Sequence, residues 1–220
     1  DSGGTALGRW TTIYAFGNNG GLHLANEFEK NDGLPELPRL GMNMELDGNL
    51  KQVSWFGRGP HENYSDRKLS AQVGNYISTV ADMYVAYMRP QENGYRTDVR
   101  NFSIGKHDKQ DNFGLRIEAD TLIGFSVHNN RMADFIPPVK IAITSEDGVG
   151  ERDNHERVNV HVNDIKPRDL VSVNIDFGQM GVGGDDSWGK RTLQRYTLNQ
   201  TTYHYGFTIS PLAKTTGKQE

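Results

Sequence analysis

The sequence predicts an all-β fold, a sandwich of antiparallel strands, and three observations carry that reading. The composition combines 25 glycines with nine tyrosines and nine phenylalanines, a mixture that favours strands joined by tight turns. Short stretches of alternating apolar and polar residues recur along the chain, with polar turns between them. No segment of helical length shows an apolar stripe repeating every 3.6 residues. At 220 residues the chain fits one domain, because β-sandwiches and barrels run to about 200–250 residues as single units. A domain of that size buries a full core without covalent staples.

In order along the chain, residues 9–16 alternate and run into the turn Gly17-Asn18-Asn19-Gly20-Gly21, and residues 22–28 alternate on leaving it. An Asn-Gly pair between two such runs reads as a hairpin, here with a loop longer than two residues. Further strands are expected at 39–46, 52–58, 113–119, 124–128, 139–144, 157–162, 171–177 and 203–210. Polar turns such as Leu46-Asp47-Gly48-Asn49 separate them. Short helical turns are expected at 67–73 and 131–135. Between Gly57 and Asn101 strands are scarce, yet tyrosines stand at 64, 76, 84, 87 and 95. A long stretch this aromatic reads as an ordered loop region laid over the sheet. The polar start and the tail 213–220 are expected to fray.

Several function classes fall away on composition. The chain has no cysteine, which excludes disulfide scaffolds, thiol nucleophiles and cysteine-ligated zinc. Its 24 Lys+Arg against 28 Asp+Glu give a net charge of −4, whereas a nucleic-acid binder normally shows a basic stripe. No apolar run approaches the ~18 residues of a membrane span, and no signal peptide is expected. His155 and His161 are six apart, which on a strand would place them on one face. With no third ligand in view they read as solvated strand histidines rather than a metal site. There is no Gly-x-Ser-x-Gly elbow, and sequence alone singles out no carboxylate pair of the kind a glycosidase needs. No catalytic and no metal-binding residue is assigned.

Two stretches concentrate chemistry-bearing residues. The first, Trp55-Phe56-Gly57-Arg58-Gly59-Pro60-His61-Glu62-Asn63-Tyr64-Ser65-Asp66-Arg67, is echoed by Arg89-Pro90-Gln91-Glu92-Asn93-Gly94. Glycine and proline together let such a loop hold one rigid shape, with Arg58, Glu62, Asp66 and Arg67 placed to pair as a half-buried network. The second is Met180-Gly181-Val182-Gly183-Gly184-Asp185-Asp186-Ser187-Trp188-Gly189. Acidic residues after the glycines repel phosphate and lack the spacing of an EF-hand. The pattern fits a glycine-shaped loop whose carboxylates accept backbone N–H bonds and fix the pose of Trp188. That indole is either a core anchor or a plate offered to the apolar face of a sugar ring.

These motifs, in this order, resemble the C-terminal domain of large bacterial β-galactosidases of glycoside hydrolase family 2, the β-galactosidase small chain or domain 5. Leu37-Pro38-Arg39-Leu40-Gly41-Met42 adds to the likeness, which spans roughly residues 9 to 212. The resemblance implies an antiparallel β-supersandwich like that of galactose mutarotases, treated as one domain over 1–220 that lacks the first strands of the family's domain. It implies a retaining enzyme cleaving terminal β-D-galactosides, whose acid/base and nucleophile glutamates lie on a separate TIM-barrel domain with nothing similar here. The fragment alone is therefore expected to be inactive. Trp188 matches the family's tryptophan that lines the pocket against the sugar, with Gly183, Gly184, Asp185 and Asp186 as its supporting loop. No role follows for Arg58, His61, Glu62, Asn63, Glu92 or Asn93. The magnesium and monovalent-cation ligands belong mainly to the barrel, so no cofactor is expected in this domain. The implied partners are a β-galactoside, the barrel of the same enzyme and a homo-oligomer, with no nucleic acid and no membrane. The compartment stays open between cytoplasm and periplasm. Two alternatives are a free-standing carbohydrate-binding module and a mutarotase-like aldose epimerase, for which His128 is the one histidine nominated.

Overall fold

The computed structural model describes residues 7–108, 111–135, 140–145, 148–153, 161–186 and 189–212. Eleven strands are formed among them: β1 (Gly8–Phe16), β2 (Leu22–Lys30), β3 (Arg39–Asp47), β4 (Gln52–Gly59), β5 (Gln72–Thr79), β6 (Arg96–Asp108), β7 (Asp111–His128), β8 (Lys140–Ser145), β9 (Gly148–Asp153), β10 (Leu170–Gln179) and β11 (Thr202–Pro211). Nine of them make one antiparallel sheet in the order β1-β2-β11-β7-β6-β4-β5, with β10 attached to β7 and β3 to β10; β8 and β9 form a separate hairpin. The all-β, antiparallel expectation holds.

β7 organises the sheet. Its first half pairs with β11 through Leu115–Ala119 and its second half with β10 through Gly124–His128, while β6 runs along its other edge. The sheet therefore forks after β7 into a β11-β2-β1 arm and a β10-β3 arm. The arms stay in touch, because the Tyr205 hydroxyl donates to the Ile175 carbonyl and the Phe177 ring packs edge-on against Tyr203 at 5.2 Å. Opposite the fork, the register of β6 slips between Arg96 and Asn101. There Asp98 takes a left-handed φ of 53°, a conformation unusual for a side chain other than glycine. Its carboxylate accepts from Arg58 Nε at 2.5 Å and from Lys68 Nζ at 2.9 Å, which ties the irregular point down.

The strand faces follow the sequence alternation. Val171, Val173 and Ile175 of β10 join Val53, Trp55, Phe102, Ile104, Ile117, Ile123, Phe125, Val127, Tyr205 and Phe207 in one apolar core. At its centre the Phe102 and Phe125 rings stack with centroids 4.4 Å apart. The intervening residues of β10 face a second, polar layer. Asn43 Nδ2 donates to Ser172 and Asn174, Asn174 Nδ2 donates to Ser126, and Arg39 donates to Ser126 and Asp176. This buried ladder is covered by the chain segments that flank β5. They contribute buried Asn63, Tyr64, Ala71, Asn93 and Tyr95, as an ordered loop region laid over the sheet requires, while Val80 and Met83 of the same segments join the apolar core.

Four expectations need correction. Residues 67–73 form no helical turn: Tyr64 and Arg67 exchange backbone hydrogen bonds across a tight turn, and β5 begins at Gln72. The runs 113–119 and 124–128 are halves of one strand of 18 residues. β5, β6 and β9 are additional strands; β5 and the start of β6 make the stretch 57–101 less loop-like than its composition implies. His161 belongs not to a strand but to a 3-10 turn, Val162–Asp164, whose Asp164 side chain accepts the His161 N–H. The strand expected at 157–162 lies mostly outside the described residues, as does His155. A short 3-10 turn at Met132–Phe135 matches the helical turn expected there.

Because Phe102 is completely buried and stacked on Phe125, Phe102→Ala is expected to lower unfolding free energy by about 3–5 kcal/mol, the usual cost of an aromatic cavity. Urea denaturation of the two forms checks it.

Candidate functional site

Two of the sequence motifs meet in space. In the turn 64–67 the Tyr64 N–H donates to the Arg67 carbonyl at 3.2 Å and the Arg67 N–H donates back at 2.8 Å. Tyr64 is buried, its ring stacked on Tyr95 at 5.8 Å, so the turn is rooted in the interior and presents Asp66 and Arg67 outward. The Asp66 carboxylate accepts the backbone N–H of Val182 at 3.1 Å and of Gly183 at 2.8 Å, and the Thr192 hydroxyl at 3.1 Å. Arg67 Nη2 donates to the Gly183 carbonyl at 3.1 Å. The glycine-rich loop is thus held by a turn 116 residues away in sequence.

The glycines are required by this geometry. Gly183 and Gly184 have φ of +65° and +90°, which L side chains rarely adopt. A Cβ on Gly181 would come within 2.5 Å of the Asp66 carboxylate and the Thr192 hydroxyl. At the loop's base the Met180 N–H donates to the Pro38 carbonyl and the Gly181 N–H to the Tyr196 carbonyl. Of the loop's own acids, Asp186 accepts the Lys190 N–H at 3.1 Å, while Asp185 is exposed with its carboxylate 3.8 Å from Lys190 Nζ. Beside the loop lies a polar cleft of about 380 Å³ bounded by Asp66, Arg67, Gly184, Asp185, Arg195 and Tyr196 among others. Trp188, with Ser187, lies outside the described residues.

Arg58, Glu62, Asp66 and Arg67 do not pair with one another as expected; each has a different partner. Arg58 bonds Asp98 and the carbonyls of Lys68 and Ala71. Burial opposes ionisation of Asp98, but the bonds from Arg58 and Lys68 prevail and hold its pKa below the usual value. Glu62 accepts from the Tyr64 and Tyr87 hydroxyls and the Gly94 N–H. His61 is on the surface against Ser70. Asn63 and Asn93 are buried and bridge backbone segments: Asn63 accepts from Thr97, and Asn93 accepts the Val85 N–H.

A buried ionic cluster underlies these loops. Arg39 bridges Asp176 at 2.7 Å and Glu92 at 3.1 Å. Burial pushes Glu92 up to about 7, against the pull of Arg39, and pushes Asp176 up to about 6. His128 is buried, with Nε2 3.0 Å from the Asn93 carbonyl and its ring edge-on to Phe135. Burial lowers its pKa to about 4, so it is neutral at pH 7 and donates its Nε2 proton to a carbonyl. A histidine committed in this way is poorly placed to act as an epimerase's acid. A roomier cleft of about 540 Å³ lies on the β1-β2-β11-β7 face, between His204, Glu27, Asp120 and Ile13. No motif residue lines it, so the site is assigned by the convergence of the motifs rather than by volume.

With this geometry in place, the comparisons decide the family. The family model for the β-galactosidase small chain matches residues 3–209. The chain belongs to the β-galactosidase small-chain family. Among its relatives is a β-galactosidase of Vibrio cholerae, 35% identical over 176 residues, which are 80% of this chain and 14% of that protein. A β-galactosidase of Psychromonas ingrahamii is 32% identical over 192 residues, 87% of this chain and 16% of the relative. One from Priestia megaterium is 30% identical over 200 residues, 90% and 17% respectively. The chain thus spans about a sixth of the length of the family members it matches. Sequence reasoning found the glycine loop but missed Asp66 as its holder; a carboxylate in a tight turn near an aromatic gives no sign of a partner so distant in sequence.

The half-buried Glu92 carboxylate sets a pH dependence. Glu92 holds its proton in the folded chain up to about pH 7 but releases it near pH 4.5 when unfolded, so its contribution to stability falls as pH rises through that window. His128 acts oppositely, its contribution being lost as pH falls from about 6.5 to about 4. The stability of Glu92→Gln relative to wild type is therefore expected to rise between pH 4.5 and 7 and stay level outside that range, as read by denaturation at a series of pH values.

Proposed function

We propose that this chain is an accessory domain of a retaining β-galactosidase of glycoside hydrolase family 2, with a mutarotase-like supersandwich architecture, and that it contributes an aromatic wall to the substrate pocket through Trp188. The observation supporting this reading most directly is the pinning of the glycine loop, from both its flanks, onto the Asp66–Arg67 turn. A loop held this firmly is a rigid support, and a sugar contact made from a rigid support incurs little ordering cost on binding. Family membership supports the accessory-domain part of the reading: the relatives are β-galactosidases about six times longer, with room for a separate catalytic domain.

The division of labour follows. The catalytic domain supplies proton transfer and the nucleophile, while this domain shapes one side of the pocket, orients the galactoside and excludes water on that side. The magnesium and monovalent cation implied by the resemblance belong to the catalytic domain. The full enzyme works as a homo-oligomer.

In the full-length enzyme Trp188→Ala is expected to raise KM for galactosides about fivefold, equivalent to ~1 kcal/mol of lost stacking, with the fold intact by circular dichroism. Unchanged kinetics refute the role. Calorimetry of the chain alone with lactose is expected to show no binding at millimolar sugar; saturable binding there would favour a free-standing carbohydrate-binding module instead.

A further inference from the structure

We infer that Asp66 is a positioning residue for substrate binding: it sets where the glycine loop sits, and through the loop it sets the affinity of the enzyme for its galactoside. The inference rests on the accessory-domain reading above. Three observations carry it. First, Asp66 reaches both limbs of the loop, taking the Val182 and Gly183 N–H groups on the way in and the Thr192 hydroxyl on the way out. It therefore fixes the loop's width as well as its position. Second, the space is matched to that carboxylate, since a Cβ at Gly181 would strike it at 2.5 Å. Third, Asp66 stands on a rigid mount, a turn closed by two backbone hydrogen bonds and anchored by the buried, stacked ring of Tyr64. Arg67 adds a bond to the Gly183 carbonyl from the same turn.

Hydrogen bonds from backbone N–H groups to a carboxylate are stronger than those to a neutral acceptor. Asparagine at this position keeps one acceptor oxygen but points an N–H₂ group at a donor, so it preserves part of the hold. Alanine removes all of it.

The test uses the full-length enzyme with Asp66→Ala, Asp66→Asn and Thr192→Val, each read by steady-state kinetics and by amide exchange of residues 181–186. Asp66→Ala is expected to speed exchange of the loop amides at least tenfold and to raise KM severalfold while kcat changes less. Asp66→Asn is expected to recover part of both, and Thr192→Val, which removes one donor and leaves the acid, to show the mildest effect. Combined with Trp188→Ala, Asp66→Ala is expected to add little to the KM of the single Trp188 variant. Loop exchange at the wild-type rate, or fully additive effects on KM, would overturn the inference. If Trp188→Ala is kinetically silent, it is the accessory-domain reading that fails. Loop exchange then decides by itself whether Asp66 sets the loop. Should Asp66→Ala not fold, the Asn and Val variants carry the same comparison.

Discussion

One strand must serve three neighbours, and most of the architecture follows from how it does so. β7 is 18 residues long, and along one edge it gives its first half to β11 and its second to β10. The arms those strands begin diverge, and apolar side chains fill the space between them. At the change of partner the ladder on the opposite edge cannot stay regular. β6 slips register there and bends through a left-handed aspartate gripped by an arginine and a lysine. An ion pair that keeps some contact with solvent contributes modestly to stability. Its role here is local, holding the backbone through a conformation the residue would otherwise avoid.

The same fork leaves the sheet with two unlike faces. The core side is a continuous block of aliphatic and aromatic groups. The other side carries a line of serines and asparagines, with an arginine bridging one buried and one half-buried acid, and loops lie over it. Buried polar groups are expensive unless every partner is supplied, so this layer constrains the loops above it: Asn63, Asn93 and Arg96 each spend side-chain hydrogen bonds on backbone groups of the covering segments. The turn bearing Asp66 emerges from that network, which is how a position in the interior is transmitted to a loop on the surface.

The sequence made the alternating strands plain where one face is buried and the other wet, as in residues 22–28 and 203–210. It hid β5 because Val73 and Ile77, the apolar residues of that strand, face outward, so no core face could be read from them. It missed the whole of β6, over whose first residues the irregularity at Asp98 breaks the two-residue period on which such a reading depends. In the same way, β7 read as two strands because residues 120–122 are exposed where the partner changes. In the candidate site, the glycines after Met180 announced a shaped loop. The network imagined among Arg58, Glu62, Asp66 and Arg67 did not form, because charges close in sequence were drawn to partners made close only by folding. Asp66 illustrates the general difficulty, since its importance lies in contacts across 116 positions.

Among the described residues β1 has a neighbour on one side only, and along it Ile13, Tyr14 and Phe16 stand well exposed. Such a margin offers unused backbone donors and acceptors together with greasy side chains, the combination that recruits another strand. Handled apart from whatever normally lies beside it, the polypeptide is a candidate for clumping as its concentration rises. A lysine in place of Ile13 is the simplest way to keep it dispersed.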